Sequence, residues 1–330
     1  MLLDPLLPAV LTRAPVLAAV VRGGFVESVH RGSLAVTDVT GAVTAALGDT
    51  ASPILPRSAN KPIQAAAMVR AGLDLPPDLL ALASSSHSGE PFHLDGVRRI
   101  LAGCGLDEPA LQNTPDRPYA EDERERWLAA GRGRESVAQN CSGKHAAMLA
   151  TCVANGWDTA AYRDPGHPLQ RLIGATMADL TGEPVAATVV DGCGAPVMAT
   201  SLAGLARAFG RIAAAAPGTP ERRVADAIRA HPEFLGGTGR DVTALVAGTP
   251  GAVAKDGAEA VYAVGLADGC GVALKVADGG QRARPVVLAA VLRALGVEST
   301  AYEVLERAPV LGHGQAVGAV SATLPDGWAR

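Results

Sequence analysis

Aromatic side chains, clusters of basic residues and long hydrophobic runs are all scarce in this chain of 330 residues. Phe, Trp and Tyr make up 3% of it, so aliphatic side chains, with alanine prominent, must fill the core. The arginines are dispersed and few aromatic residues lie among them, which argues against a nucleic-acid surface. The net charge is −4, and the 33 acidic residues barely exceed the 29 basic ones. No strongly charged partner is therefore expected.

Neither a signal peptide nor a membrane span is indicated. The apolar stretch 1–21 is interrupted by Asp4, Arg13 and three prolines, and it lacks a basic start. No later segment reaches 18 apolar residues without a charge or a turn. We therefore expect a cytoplasmic protein without membrane or nucleic-acid partners.

The five cysteines are an odd number for a chain that looks intracellular, which favours reduced thiols over disulfides. They are Cys104, Cys141, Cys152, Cys193 and Cys270. Hydrophobic residues make up 48% and charged residues 19% of the chain. This balance is typical of a globular protein rather than a disordered one.

Both ends of the chain read as β and the middle mostly as α, with Gly23-Gly24, Gly32 and Thr40-Gly41 as turn signals. The predicted strands are Val16–Arg22, Phe25–His30, Leu34–Asp38, Ala42–Leu47, Val261–Leu266 and Val272–Val276. The predicted helices are Pro62–Ala71, Pro91–Ala102, Ala120–Ala130, Lys144–Ala154, Pro168–Leu180, Ala199–Ala214, Pro220–Ala230 and Pro285–Leu295. This order predicts an α+β fold, in which an antiparallel sheet built from both ends is joined to a helical lobe.

We expect one catalytic unit over residues 1–330. Its sheet lobe would take residues 15–60 and 250–330, and its mainly helical lobe residues 61–249. No internal repeat or interdomain linker is evident in the sequence.

Ser58 and Lys61 form a Ser-x-x-Lys pattern at the opening of a predicted helix. A buried lysine amine beside a serine sheds its charge readily and can take the hydroxyl proton. Pro62 permits two helix starts: Ser58 caps the helix with Pro62 in its first turn, or Lys61 is the cap and Pro62 the first helical residue. In both, Ser58 lies near free N–H groups able to hold an oxyanion. The alternative is a capping serine beside a solvated lysine.

Residues 83–90, Ala-Ser-Ser-Ser-His-Ser-Gly-Glu, gather hydroxyls that need polar partners if they are buried. Ser86 or Ser88 could relay protons or orient a substrate. A serine-rich turn capping the helix that starts near Pro91 is an equally open alternative.

Two glycine-containing turns each present a cysteine. One carries Cys141, Lys144 and His145 at a helix start, and the other carries Asp191 and Cys193 at a strand end. Two thiolates with a histidine or amine could hold Zn²⁺, although Cys-x-x-Lys is not a standard zinc spacing. The alternative for each cysteine is a small buried hydrophobic residue.

Lys255-Asp-Gly257 precedes the predicted strand Val261–Leu266. Such a lysine can place an ammonium beside an anionic substrate group, and a surface turn is the alternative. The glycine-rich segment 236–240 lacks the preceding strand and the Lys-Ser/Thr ending of a phosphate loop.

Taken in order, these motifs closely resemble the asparaginase II family, the rhizobial-type or class 3 L-asparaginases. They are Arg57-Ser58-x-x-Lys61-Pro62, Ser86-His87-Ser88-Gly89-Glu90, Asn140-Cys141-Ser142-Gly143-Lys144-His145, Asp191-Gly192-Cys193-Gly194 and Lys255-Asp256-Gly257. The resemblance covers roughly residues 16–295. It implies a fold shared with serine β-lactamases, penicillin-binding proteins and bacterial glutaminases. It also implies hydrolysis of L-asparagine to L-aspartate and ammonia.

The resemblance further implies two Ser–Lys pairs. The first is Ser58 with Lys61, and in the second we place Ser86 with Lys255, keeping Ser88 as the fallback. It also implies a homodimer.

A zinc ion is the cofactor that the resemblance implies, held by Cys141, Lys144 and Cys193 with water completing its shell. The lysine ligand would have to be neutral, so the ion must depress its pKa strongly.

Substrate contacts are assigned as hypotheses. Asp191 could pair with the α-ammonium of asparagine, His145 or Arg57 could position its carboxylate, and Ser88 could orient it. A glutaminase or another small-amide hydrolase is the rival within this chemistry, because one methylene changes pocket affinity by only about 1–3 kcal/mol. A zinc-braced amino-acid-binding protein without turnover is the rival from another class, and the lysines beside serines argue against it.

Overall fold

The computed structural model describes residues 9–325, 327 and 328. They form two compact units. The first, called the sheet unit here, contains the described residues up to Ala59, then Thr200–Ala214, and those from Ala244 onward. The second, the helical unit, contains Asn60–Ala199 and Ala215–Thr243.

An eight-stranded antiparallel sheet dominates the sheet unit. Its strands are β1 (Val16–Arg22), β2 (Phe25–Thr37), β3 (Val43–Leu47), β7 (Val253–Gly257), β8 (Val261–Gly265), β9 (Gly271–Val276), β10 (Pro309–Gly312) and β11 (Gln315–Ala322). Their order is β10-β11-β1-β2-β9-β8-β7, and β3 pairs with the second half of β2. Strands from the two ends of the chain therefore meet at β1–β11 and at β2–β9. The predicted α+β class with an antiparallel sheet is confirmed.

Four α-helices of the described chain lie wholly in the sheet unit. They are α1 (Ala9–Thr12), α8 (Leu202–Ala213), α12 (Arg284–Ala294) and α13 (Tyr302–Leu305). The first three pack on these strands, and the last packs on α12. Leu205, Phe209 and Ile212 recur at helical spacing in α8 and are fully buried. This apolar stripe accounts for the contacts of α8 with β2, β8 and β9.

Eight α-helices in the described part of the chain lie wholly in the helical unit. They are α2 (Lys61–Arg70), α3 (Pro77–Ala83), α4 (Pro91–Gly103), α5 (Glu121–Ala129), α6 (Ser142–Asn155), α7 (Pro168–Thr181), α9 (Pro220–Ala230) and α10 (Pro232–Leu235). The first eight residues of α2, from Lys61 to Met68, are all buried. A helix buried on every side is central to its unit, and α2 contacts α3, α6, α7 and α9. Its first residue, Lys61, is therefore held inside the unit.

Three shorter strands and one further helix complete the described chain. They are β4 (Pro53–Ile54), β5 (Ala187–Val190), β6 (Pro196–Ser201) and α11 (Asp241–Gly248). β5 pairs with residues 196–199 of β6, and β4 pairs with residues 200–201.

Several predicted elements change in the structure. The turn predicted at Gly32 is wrong, because β2 runs through it without a break. A Cβ at this position would collide with the backbone oxygen of Lys275 on β9, so the glycine serves close strand approach. The helix predicted over 199–214 begins only at Leu202, since the preceding residues belong to β6.

The two units differ in part from the predicted lobes. Residues 200–214 and 244–249, assigned to the helical lobe from sequence, belong to the sheet unit, and Asn60, assigned to the sheet lobe, belongs to the helical unit. Separately, none of the helices in the described part of the chain is both long and apolar enough to cross a membrane.

Candidate active site

Ser58 lies in a short 3₁₀ helix, Arg57–Asn60, that leads directly into α2. Asn60 takes the N-cap position, and Pro62 lies in the first turn of α2. Pro62 is thus placed as in the first of the two predicted helix starts, but Ser58 is not the cap. Ser58 is half-buried.

The residue before Ser58 has an unusual backbone. Arg57 has φ +50°, a left-handed conformation that is uncommon for residues other than glycine, asparagine and aspartate. Backbone strain of this kind is concentrated at functional sites, where the surrounding structure holds it in place.

Strand β7 contacts the Ser58 turn within the sheet unit. A Cβ at Gly257 would lie 2.7 Å from the carbonyl oxygen of Pro56 and 3.2 Å from the amide nitrogen of Ala59. Only glycine permits this approach. The strand that carries Lys255 is therefore adjacent to the turn that carries Ser58.

Lys255 belongs to a buried ionic cluster. Its Nζ donates to the main-chain oxygen of Asp256 at 2.8 Å and also pairs with the Asp256 carboxylate. Arg284 places Nη2 3.6 Å from the same carboxylate and donates from Nη1 to the Gly257 carbonyl at 3.0 Å. Mutual pairing makes burial of these three charges tolerable.

Lys61 has three acceptors inside the helical unit. Its Nζ donates to the carbonyl oxygen of Ser85 at 2.5 Å, to Ser86 Oγ at 3.0 Å and to Cys141 Sγ at 3.1 Å. Lys61 is only 1% exposed and Ser86 5%. The structure thus joins the first lysine motif to the serine cluster, a pairing that the sequence analysis did not predict.

The segment carrying Ser86 is anchored on both sides. The Ser86 amide donates to Leu235 O and the His87 amide to Asn140 O, both at 3.1 Å. Ser88 Oγ donates to the carbonyl of Gly236 at 3.0 Å and is buried. The Ser88 hydroxyl proton is therefore used in the hydrogen bond to Gly236.

Two buried histidines stack behind Ser86. The His87 and His93 rings lie 5.1 Å apart between centroids. Burial lowers the pKa of His93 to about 4 and that of His87 well below its ordinary value. His87 Nε2 lies 2.8 Å from Ser142 Oγ, which itself donates to Val137 O, so the neutral ring donates to this hydroxyl.

Cys141, Lys144 and Cys193 form a buried cluster of two sulfurs and one amine. Cys141 is at the N-cap position of α6, Lys144 is in the first turn of α6, and Cys193 is in the turn between β5 and β6. Lys144 Nζ donates to Cys193 Sγ at 3.1 Å.

The charges in this cluster are strongly coupled. A hydrogen bond from Cys141, reinforced by the Lys144 ammonium, lowers the pKa of Cys193 to about 4. The same sulfur contact and burial raise the pKa of Cys141 to about 12. Burial works to lower the pKa of Lys144, but the two sulfurs outweigh it and raise the pKa. A thiolate–ammonium pair is therefore formed by Cys193 and Lys144.

This donor set suits Zn²⁺, which takes sulfur and nitrogen ligands tetrahedrally and can leave one position open. The Lys144 amine would have to lose its proton to bind the ion. Among residues 9–325, 327 and 328, no group of three or more His, Cys, Asp or Glu side chains is arranged to hold a metal. The lysine is thus essential to any three-ligand site here.

His145 offers a hydrogen-bond donor next to this cluster. The Gln112 amide donates to Tyr162 Oη at 3.1 Å, so the hydroxyl must donate onward to His145 Nδ1 at 2.7 Å. Burial, with help from Lys144, holds the pKa of His145 well below its ordinary value. The neutral ring therefore carries its proton on Nε2, which has no partner among the described residues.

Asp191 lies beside the same cluster. Its Oδ1 accepts from the Gly192 amide at 2.8 Å, and its Oδ2 lies 4.0 Å from Cys193 Sγ. The helical unit therefore holds eight of the eleven predicted site residues: Lys61, Ser86, Ser88, Cys141, Lys144, His145, Asp191 and Cys193. The sheet unit holds the other three: Arg57, Ser58 and Lys255.

Sequence reasoning missed the contribution of the glycine-rich segment 236–240. Glu90 accepts from the Thr238 amide at 2.8 Å and from Thr238 Oγ1 at 2.7 Å. The guanidinium of Arg240 lies over the Tyr119 ring and donates to the Ser86 carbonyl at 3.3 Å. No local motif signals these contacts, because they join residues about 150 positions apart.

Comparisons with solved structures give weak similarities. A β-lactamase from Mycobacterium bovis is 16% identical, with 86% of this chain and 97% of that chain covered and a TM-score of 0.44. The native form of Mglu is 14% identical, with 81% and 64% covered and a TM-score of 0.42. No curated protein matches the sequence.

The match to a protein family is extensive. The profile described as L-asparaginase II matches residues 18–322, which include every predicted site residue. The chain therefore belongs to the L-asparaginase II family and is an amidohydrolase.

Proposed function

We propose that this amidohydrolase converts L-asparagine to L-aspartate and ammonia, with a serine nucleophile and a lysine base. One observation carries the proposal: the Lys61 amine is buried 3.0 Å from Ser86 Oγ and follows Ser58 by three residues. At this distance a lysine amine can exchange a proton with a serine hydroxyl, which is the role of the base in serine–lysine catalysis.

Ser58 is the better nucleophile of the two serines. It is half-buried, whereas Ser86 is 5% exposed and its backbone amide is bonded to Leu235. A substrate can reach the more exposed hydroxyl. Ser86 then suits the relay of a proton to and from Lys61.

The reaction follows as an acyl transfer in two stages. Ser58 Oγ attacks the side-chain amide carbon while its proton passes to Lys61, and N–H groups near the start of α2 hold the oxyanion. The C–N bond then breaks, and the proton returns to the leaving nitrogen through Lys61 and Ser86 to give ammonia. Water cleaves the resulting ester, which yields aspartate and restores the Ser58 hydroxyl.

Polar groups beside the Cys141–Lys144–Cys193 cluster can position the substrate. Asp191 carries the negative charge that would pair with an α-ammonium. His145 Nε2–H can donate to a carboxylate, and the Arg57 guanidinium of the sheet unit is the alternative donor. A bound Zn²⁺ held by Cys141, Lys144 and Cys193 would supply a fixed positive charge there.

Further parts of the proposal come from the family resemblance. Lys255 is proposed as the partner of the second serine. Its position on β7, next to the Ser58 turn, supports a role near the reacting atoms. A homodimer located in the cytoplasm completes the proposal.

Ammonia release tests the proposed substrate and nucleophile together. Wild-type protein should release ammonia from L-asparagine with a higher kcat/KM than from L-glutamine. Ser58→Ala should lose at least about 1,000-fold in kcat, since covalent catalysis is removed. Ser321→Ala, at an exposed position on β11, is the matched control. Full turnover by Ser58→Ala would end the serine mechanism, and equal use of both amides would end the assignment to asparagine.

A further inference from the structure

A cavity of about 250 Å³ lies in the sheet unit beside the 3₁₀ helix that carries Ser58. Its lining residues are Leu11, Pro53, Ile54, Leu55, Arg57, Glu259 and Lys275. Arg57, the residue before Ser58, therefore forms part of the cavity wall. One part of the lining is aliphatic and the other is charged.

Lys275 is a half-buried cation that forms no ion pair with any of the described residues. Its Nζ donates to Glu259 O at 2.8 Å and to Val276 O at 3.4 Å, and no carboxylate of the described chain lies within ion-pair distance. One of its three N–H groups is left for another acceptor. Burial lowers the pKa of Lys275, the carboxylates of Glu259 and Asp278 oppose this, and the Arg57 charge, whose effect is smaller than that of Glu259, lowers it further.

Lysine is rare in this protein, which makes its presence at 275 informative. Only four of the 29 lysine and arginine residues are lysines. The other three are Lys61, Lys144 and Lys255, all in the candidate active site. Lysine offers a compact ammonium, which is not equivalent to the planar guanidinium of arginine.

Backbone strain is concentrated around the same cavity. Among residues 9–325, 327 and 328, four residues other than glycine have positive φ, and three of them are Arg57, Glu259 and Ala260. The last two lie in the three-residue turn between β7 and β8, at positive φ values where glycine or asparagine is usual. An observed cluster of such outliers supports a functional role for the place where it occurs.

We propose that this cavity is a second ligand site and that it binds a small aliphatic monocarboxylate. The carboxylate accepts a hydrogen bond from the remaining N–H of Lys275 and lies near the positive charge of Arg57. The alkyl chain packs on Ile54, Leu55 and Leu11. A chain of about four carbons suits the volume, which is smaller than that of typical drug-sized pockets. The exposed Glu259 carboxylate at the rim disfavours dianions.

Isothermal titration calorimetry with butyrate tests the site, and butyramide is the uncharged probe of the same shape. Butyrate should bind the wild-type protein at one site per chain, and butyramide should bind at least about tenfold more weakly, as expected from loss of a charge-assisted contact. Lys275→Gln should weaken butyrate binding by a similar factor. Arg293→Gln, which removes an exposed cation paired with Glu306 elsewhere in the sheet unit, should leave it unchanged.

A second variant keeps the test informative if Lys275→Gln fails to fold. Leu55→Trp keeps both cations and partly fills the aliphatic side of the cavity, so it should also weaken butyrate binding. Equal affinity for butyrate and butyramide would overturn the proposal. Wild-type affinity in both Lys275→Gln and Leu55→Trp would overturn it as well, because butyrate would then be bound elsewhere.

Discussion

The amine of Lys61 lies 3.0 Å from the hydroxyl oxygen of Ser86, although 25 residues separate them in the chain. Lys61 opens the buried helix α2, and Ser86 follows the end of α3. Lys61 therefore contacts the hydroxyl of one serine, Ser86, and lies three residues after another serine, Ser58, in the sequence. This arrangement gives the proposed reaction a route for its proton.

Removal of the Ser86 hydroxyl should slow turnover without abolishing binding. If Ser86 relays the proton held by Lys61, Ser86→Ala should lower kcat by about 100-fold with little change in KM, the usual size of a general acid–base contribution. Ser84→Ala is the matched control, because the Ser84 hydroxyl is buried in the same segment and has no hydrogen-bond partner among the described residues. Steady-state ammonia assays measure both. A Ser86→Ala enzyme as fast as Ser84→Ala would exclude the relay.

Loss of one cluster ligand should reduce the metal content. Purified wild-type protein should contain about one zinc ion per chain by elemental analysis, and Cys193→Ser should contain much less, because a hydroxyl is a poorer zinc ligand than a thiolate. Cys152→Ser is a control, since this buried thiol lies in the middle of α6 outside the cluster. Equal zinc in wild-type protein and Cys193→Ser would place the metal elsewhere, and no zinc in either would remove it from the account.

Acid should destabilise the fold through His93. Its pKa is lowered to about 4 by burial, so the folded protein keeps the ring neutral while the unfolded chain protonates it near the ordinary value. The contribution of neutral His93 to the free energy of unfolding is thus fully present above about pH 6.5. It is lost as the pH falls to about 4, and the loss is about 3 kcal/mol in total.

Urea unfolding of wild-type protein and His93→Gln measures this effect. Gln can still donate to the Glu233 carbonyl that His93 contacts, but it does not titrate. The wild type should therefore lose more stability than the variant between pH 6.5 and 4. Identical losses in the two proteins would show that His93 does not titrate in this way.

The buried Asp256 carboxylate should be important for stability. It pairs with Lys255 and lies 3.6 Å from Arg284, so Asp256→Ala leaves buried cations uncompensated. We expect the free energy of unfolding to fall by about 3–5 kcal/mol. In the exposed pair of Arg293 and Glu306, Glu306→Ala should cost less than about 1 kcal/mol. Comparable losses in the two variants would contradict the structural role of Asp256.

Local sequence patterns predicted the elements with strong periodicity. The strand Val16–Arg22 has the predicted bounds, and the helices starting at Pro91, Pro168 and Pro220 begin where their prolines indicated. Proline is favoured in the first helical turn, so these starts were readable. The strands β10 and β11 were not predicted, because their glycine and alanine content has little β propensity.

The candidate site was predictable as a set of residues but not as a set of pairs. The motifs containing Ser58, Lys61 and Ser86 could be recognised by spacing and resemblance. The contact of Lys61 with Ser86 depends on how α2 packs in the helical unit, which no local pattern encodes. Likewise, the close approach of Gly257 to the Ser58 turn follows only from strand order.

Identification of the acylated residue tests the central claim most directly. Wild-type protein would be mixed with L-asparagine, quenched in acid within the first turnover and digested, and the peptides would be mapped by mass spectrometry. The account predicts a peptide containing Ser58 that carries the substrate mass less ammonia, absent from Ser58→Ala. Acylation at Ser86 instead, or rapid turnover with no acylated serine, would contradict it.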